Sequence, residues 1–286
     1  AGLRTEPMLT ADVRGEGVPA PELLRALRQL EEEEPTLAVE AAGGAVSLRV
    51  MGRIQLEVIQ RLLLDRHGYA VTFGPCRVLY RETVAAPCVG VGHYEPLRHY
   101  AEVHLRLRPG APGSGLTFVS LCHVDALALN WQRLIETHVL EKLHKGVLLG
   151  APLTDVRVEL LSGRAHIKHT EGGDFRQATY RAIRNALMHG QSVLLEPICR
   201  FRLRVPATAY GRVSGDLQRM GAQVEAVEPL GESTLLAGTA VYARLLGYQE
   251  AFLAATHGKG GFDCRMERYA PCRDAEAVIA ARAYNP

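Results

Sequence analysis

The sequence predicts an α+β protein built from three modules, two split βαβ units flanking a two-layer α+β unit. Three observations predict it. At 286 residues the chain exceeds what one core usually absorbs, so two or three interiors are expected. Its 47% apolar and 22% charged residues can bury a core, and a disordered chain could not. The order strand, helix, strand, strand, helix, strand occurs twice, the copies about 190 residues apart.

In residues 1–84, MLTADVRG (8–15) alternates like a strand. Pro21 opens a helix, PELLRALRQLEEEE, with Leu23, Leu24, Leu27 and Leu30 on one stripe. The run Glu31–Glu34 reads as a solvated helix end, although acids there oppose the dipole. TLAVEA (36–41) and AVSLRVM (45–51) read as a hairpin around Gly43-Gly44. GRIQLEVIQRLLLDRHG is a helix ending at His67-Gly68, and YAVTF and CRVLYRETV are extended. That order is ferredoxin-like.

In residues 85–193, AEVHLRLRPG and SGLTFVSLC read as strands around GAPGSG, taken as a hairpin connection. WQRLIETHVLEKLHKGVLL reads as one long helix, with His138 and His144 solvated or capping. DVRVELLSG is a strand, HIKHTEGG a loop and DFRQATYRAIRNALMHG a helix, giving β-β-α-β-α. In residues 194–286, VLLEPICRFRLRVP, QVEAVEPL, STLLAGTAV and GFDCRMERYA are strands, with helices at ATAYGRVSGDLQRMG and YARLLGYQEAFLAATHG. This again is the ferredoxin-like order.

Net charge is +2, but its distribution is uneven. Residues 1–40 hold nine acids against four bases, and residues 162–204 hold eight bases against three acids. The basic stretch points to an anionic partner for one end. Of 33 bases, 29 are Arg and only four are Lys. A GC-rich genome explains this, and so does selection for bidentate phosphate contacts. Six cysteines form no CxxC pair and read as reduced thiols of a cytoplasmic protein, with Cys264 and Cys272 flanking one strand. No apolar run is long enough for a membrane span, and the first residues lack a signal-peptide core.

The most informative segment is SGRAHIKHTEGGDFRQATYRAIRNAL (162–187). A strand ends at Gly163, and Asp174 is placed as the N-cap of a helix with Phe175, Ala178, Ala182, Ile183 and Leu187 buried. The loop between has nothing to build a core with and should project. Free N–H groups at the helix start, Arg164 and Lys168 offer positive charge, and His166 and His169 can stack on bases. Gln177, Arg181 and Arg184 follow on one helix face. A polar surface loop without function has the same letters. A metal site from His166, His169 and Glu171 lacks the fourth ligand that structural zinc needs. An enzyme using His166 or His169 as general base would need an enclosed pocket. GAPGSG lacks the Lys of a phosphate-binding loop, and no GxSxG is present.

ALRQLEEEEPTLAVE and MGRIQLEVIQRLLLDRHGYAVTFGPCRVLYRETV resemble the third domain of elongation factor G and its relatives, through Pro35-Thr36-Leu37, Gly52, Leu56-Glu57 and Tyr80-Arg81-Glu82. Residues 98–190 resemble the fourth domain, with SGRAHIKHTEGGDF at its tip loop and His166 at the tip histidine. Residues 196–270, from EPICRFRLRVP, are similar to the fifth domain. Within the family, GSGLTFVSLCHVDALALNWQRLIETHVLEKLHKGVLLGAPLTDVRVEL and the DFR…LLEP spacing resemble the Tet(M)/Tet(O)-type tetracycline-resistance ribosomal protection proteins. The tip departs from both branches: it has neither the Ser-Pro-Val of Tet(M) nor the Asp-Ser-Ser stretch of a translocase. The end, ARAYNP, is expected to fall short of a C-terminal helix.

The resemblance implies two ferredoxin-like domains, residues 1–84 and 194–286, flanking a ribosomal protein S5 domain 2-like α+β domain, residues 85–193, with a tip loop at 164–173. It implies a fragment whose parent is a ribosome-dependent GTPase using GTP and Mg, with no cofactor, metal or catalytic residue in this chain. The implied partners are the bacterial ribosome, its 16S and 23S rRNA and its proteins, met by a cytoplasmic monomer and no membrane. The tip residues Arg164, His166, Ile167, Lys168, His169, Thr170 and Glu171 would contact rRNA. Gln177, Arg181 and Arg184 would support them, and His93, Tyr94, His123 and Asp125 would form secondary tip loops. The expected role is release of tetracycline from the ribosomal A site, on the small subunit; the alternative is the arm of a translocase.

Overall fold

The computed structural model describes residues 7–286, so the first six residues of the opening module lie outside the described residues. The fold is mixed α+β and divides into two compact units. One comprises residues up to 79 with 197–268, the other residues 80–196 with 269–286.

The first unit opens with β1 (Leu9–Gly15), α1 (Ala20–Glu33), β2 (Glu40–Ala42), β3 (Ala45–Val50), α2 (Arg53–His67), β4 (Val71–Phe73) and β5 (Arg77–Val78). The strand order is β2-β3-β1-β4, with β5 also paired to β1. Alternation places Leu9, Ala11 and Val13 inward, where Leu23, Leu27 and Leu30 of α1 and Leu56, Ile59 and Leu63 of α2 cover them. Pro35 converts the expected strand start at 36–39 into a 3-10 turn ending at Ala38 in the left-handed region (φ 38°), so only 40–42 pair as β2. The acidic run is not merely solvated. Glu31 accepts the Val39 N–H at 2.9 Å, and the Arg66 guanidinium binds Glu33 and holds its carboxyl below the usual range.

The second unit holds β6 (Arg81–Val84), β7 (Cys88–Tyr94), β8 (Ala101–Pro109), β9 (Leu116–Ser120), α3 (Leu129–Leu140), β10 (Val156–Ala165) and α4 (Gly172–His189). The sheet order is β7-β8-β10-β9, with β9 and β10 parallel. This section is therefore β-β-β-α-β-α, one strand more than expected. The missed strand, CVGVGHY, looks glycine-broken. A Cβ at Gly90 would stand 2.1 Å from the Ala182 carbonyl oxygen, and one at Gly92 1.7 Å from that of Ala178. The glycines let β7 lie directly on the α4 backbone.

GAPGSG is not a hairpin, because β10 lies between β8 and β9. Its glycine N–H groups are used: Gly110 donates to Asp155 O (2.7 Å) and Gly115 to Asp155 Oδ1 (3.1 Å). The long helix ends at Leu140, nine residues early. The following turns wrap around the fully buried Glu82 carboxylate, which accepts N–H groups of Leu148 (2.7 Å), Leu149 (3.0 Å) and Ala151 (2.8 Å). His138 and His144 are not solvated; both are buried, with His138 Nδ1 at 2.9 Å from Glu141 Oε1 and His144 Nε2 at 2.8 Å from Val139 O.

The chain continues through β11 (Ser192–Pro206), α5 (Tyr210–Arg219), β12 (Gln223–Leu230), β13 (Ser233–Val241), α6 (Tyr242–Leu246), α7 (Gln249–Ala255), β14 (Gly261–Pro271) and α8 (Ala275–Arg282). The order β12-β13-β11-β14 repeats that of the first sheet. Residues 198–206 of β11 pair with β13, and residues 192–195 pair with β6. The expected single helix after β13 is two short ones, interrupted at Gly247-Tyr248. An eight-residue helix, α8, forms where none was expected, because AEAVIAAR is rich in helix-forming Ala. All six cysteines are free thiols. Cys199 on β11 is buried, and its thiol donates to Ala240 O at 3.5 Å.

Candidate nucleic-acid interface

Register fixes which loops share one end of the second unit's sheet. Tyr94 pairs with Ala101 and Ala101 with Ala165, so the β7–β8 turn and the segment after β10 are neighbours. β9 runs parallel to β10, but its last pair is Ser120 with Leu160. β10 therefore continues five residues further, about 16 Å at 3.3 Å per residue. His93 and Tyr94 stand beside the tip; His123 and Asp125 are at the same end but set back.

The tip itself is a tight turn. His169 and Thr170 donate their N–H groups to His166 O (3.2 and 3.1 Å), and Lys168 N–H points to His166 Nδ1 (3.2 Å). The imidazoles of His166 and His169 stack at 4.6 Å with planes 18° apart. Ile167 at the apex is fully exposed, and His166, Lys168 and His169 are exposed around it. With Glu95, Tyr100, Arg164 and Ala165, residues 166–168 line a shallow open groove.

Hydrogen bonds through Thr170 and Tyr100, and a close approach of Asp174 to His99, hold the tip to the β7–β8 turn. Thr170 Oγ1 accepts the His166 N–H (2.6 Å) and donates to Tyr100 O (2.7 Å), while Tyr100 N–H returns to His169 O (3.0 Å). Asp174 does the rest. It is not the N-cap: the helix begins at Gly172 after Glu171, and Asp174 at the third position reaches back to accept the Glu171 N–H at 2.9 Å. Its other oxygen lies 2.9 Å from His99 Nδ1. A buried carboxylate thus already occupies the helix start, so free N–H groups there do not form an anion site as expected.

The supporting face is divided. Arg181 donates to His93 O at 2.8 Å and lies over the Tyr94 ring at 5.0 Å, so it holds β7 in place. Gln177 and Arg184 are exposed. Glu171 caps the helix, while exposed His123 and Asp125 pair with each other at 3.1 Å. Hydrogen bonding to His104 holds the Glu102 carboxyl low, and burial raises the Tyr100 phenol. The positioning roles of His99, Tyr100 and Asp174 escape sequence reasoning, because each depends on a partner across the sheet.

Several chemistries fail on this geometry. Exposure of 166–169 removes the enclosed pocket that a general base needs. Among the described residues no group of three or more His, Cys, Asp or Glu is gathered for a metal. GAPGSG runs into a strand, lacks the phosphate-loop Lys and commits the Gly110 and Gly115 N–H groups to Asp155, so it does not fit a nucleotide's phosphates. Among the described residues no helix is long and apolar enough to cross a membrane.

This chain is similar to known proteins. Elongation factor G 2 of Streptomyces coelicolor is 31% identical over 262 residues, 87% of this chain and 38% of that protein. Tetracycline resistance protein TetP of Clostridium perfringens is 30% identical over 253 residues, 87% of this chain and 39% of that protein. A crystal structure from Thermus thermophilus superposes with a TM-score of 0.76 at 27% identity, covering 99% of this chain and 44% of that one. The chain spans about two fifths of the length of these relatives. The strand carrying Glu82, the welded tip and α4 fall within residues 76–191, which match elongation factor G domain IV, and residues 193–278 match the elongation factor G C-terminus. This chain thus carries domain IV and the C-terminal domain of the elongation factor G family.

Proposed function

We propose that the chain is the ribosome-contacting arm of a translational GTPase, with residues 1–84, 85–193 and 194–286 as its three modules. The observation that carries this reading is the welded apex: side chains 166–169 stand exposed on two turns locked to each other. Such a tip can enter an RNA site without reorganising, and stacked imidazoles with Lys168 and Arg164 suit bases and phosphates. The arm acts as a monomer in the cytoplasm on 16S and 23S rRNA and ribosomal proteins. Other parts of the whole protein supply GTP and Mg binding.

The finer reading is ribosomal protection. The tip occupies the ribosomal A site, where it competes with tetracycline. The likeness to a tetracycline resistance protein supports it. A translocase arm is the second reading, favoured by relatives named elongation factor G that are 31% and 29% identical. Tetracycline susceptibility of a sensitive strain separates them. The full-length parent should raise the growth-limiting concentration several-fold, and a variant with 166–170 replaced by Gly-Ser should not, while keeping its thermal transition. A parent that sustains growth of a strain depleted of its own factor but gives no protection is a translocase.

A further inference from the structure

The helices α3 and α4 cover one face of the four-stranded sheet of the second unit; the other face is open. Alternation assigns it. Val103, Leu105 and Leu107 of β8 and Val156, Val158 and Leu160 of β10 are core residues, so Arg106, Arg108, Arg157 and Glu159 point the other way. Arg108 and Arg157 are exposed and stand directly opposite each other in the antiparallel register. Like charges at opposed positions destabilise a sheet.

The local acid does not resolve the excess. Glu159, itself buried, is shared by two guanidiniums, at 2.9 Å from Arg106 Nε and 2.6 Å from Arg108 Nε. Arg157 has no ion pair among those found for the described residues. Two further positions extend the face toward the apex: Glu102 is bound to His104 at 2.6 Å, and opposite it stands exposed Arg164. The row from Arg108 to Arg164 therefore carries four arginines against two glutamates.

We infer that this open sheet face is a second nucleic-acid surface, taking an RNA phosphodiester backbone along the row Arg108, Arg157, Arg106 and Arg164. Phosphate between Arg108 and Arg157 removes their repulsion and accepts bidentate donors from both. Successive same-face positions on a strand are about 7 Å apart, a step that an extended backbone can follow. Half-exposed Val89 and Val91 on β7, opposite Arg106 and His104, give an apolar margin for sugar and base edges, which an acidic polypeptide would leave unused. The face runs into the tip through Arg164, so it extends the RNA reading of the tip while standing on separate residues.

The test uses the full 286-residue chain, a fluorescein-labelled 20-nucleotide polyuridylate, and anisotropy titrations from 50 to 300 mM KCl. The double variant Arg108→Gln/Arg157→Gln should reduce the slope of log K against log salt by about 1.4, two contacts at roughly 0.7 each on single strands. Its thermal transition should stay cooperative, because Arg106 still pairs with the buried Glu159 after Arg108 is replaced. The charge-keeping Arg108→Lys/Arg157→Lys should retain the slope. An unchanged slope in the Gln variant overturns the inference, and so does a slope lost equally in the Lys variant. Polyglutamate displacing the RNA at equal charge overturns the assignment to RNA. Replacement of 166–170 by Gly-Ser separates the two readings: if it leaves binding untouched, the tip reading fails and the face stands.

Discussion

Burial of His144 makes stability pH-dependent at the residue scale. Desolvation holds its imidazole below the ordinary 6.5, so the folded chain keeps it neutral where the unfolded chain would protonate it. The unfolded state therefore binds more protons below that pH. Stability is retained above about pH 6.5 and lost as pH falls toward the depressed value. His144→Gln keeps a donor for Val139 O and removes the titration. Urea melts at pH 7.0 and 5.5 should show a smaller acid loss in the variant than in the parent chain. An equal loss would place the acid sensitivity elsewhere. The sequence could not show this burial. His138 shares the buried face of α3 with Ile135 and Val139, and His144 turns inward because the helix ends at Leu140.

At the element scale, what was legible followed local pattern. The alternation in AEVHLRLRP marks β8, and the stripe Phe175, Ala178, Ala182, Ile183 marks α4, because each element buries one face. β7 was illegible because its glycines answer to α4, about ninety residues away. The GAPGSG connection was illegible for a related reason: β10, about forty residues later, enters between the strands it joins. Gly172-Gly173 looked like loop, yet they open the helix, since the Asp174 carboxylate completes the first turn. Gly92→Val is the sharpest test of this packing. Its side chain would collide with the Ala178 carbonyl at the heart of the β7–α4 contact. Overpacking of this kind should cost about 3 kcal/mol by urea denaturation; an unchanged midpoint would mean that β7 does not lie on α4.

At the scale of the whole molecule, the sequence showed the class and the place of the tip. Two sheets share one strand order, and the basic stretch at 162–204 ends its first strand in the exposed apex. What stayed hidden was how the apex is held. Thr170 and Tyr100 bond two turns some seventy residues apart, with His99 close to Asp174 beside them, and no local periodicity reports such contacts. The net charge of +2 hides the contrast that matters, because acids at the start of the chain offset the bases near the apex. In the proposed role, that apex meets ribosomal RNA. A photo-crosslinking amino acid in place of Ile167, in the chain bound to vacant bacterial 70S ribosomes, tests it most directly. Cross-links to 16S rRNA at the A site are expected, absent when the probe replaces buried Phe175's exposed neighbour Arg176. Ribosome binding without any rRNA cross-link from position 167, or cross-links only to protein, would contradict it.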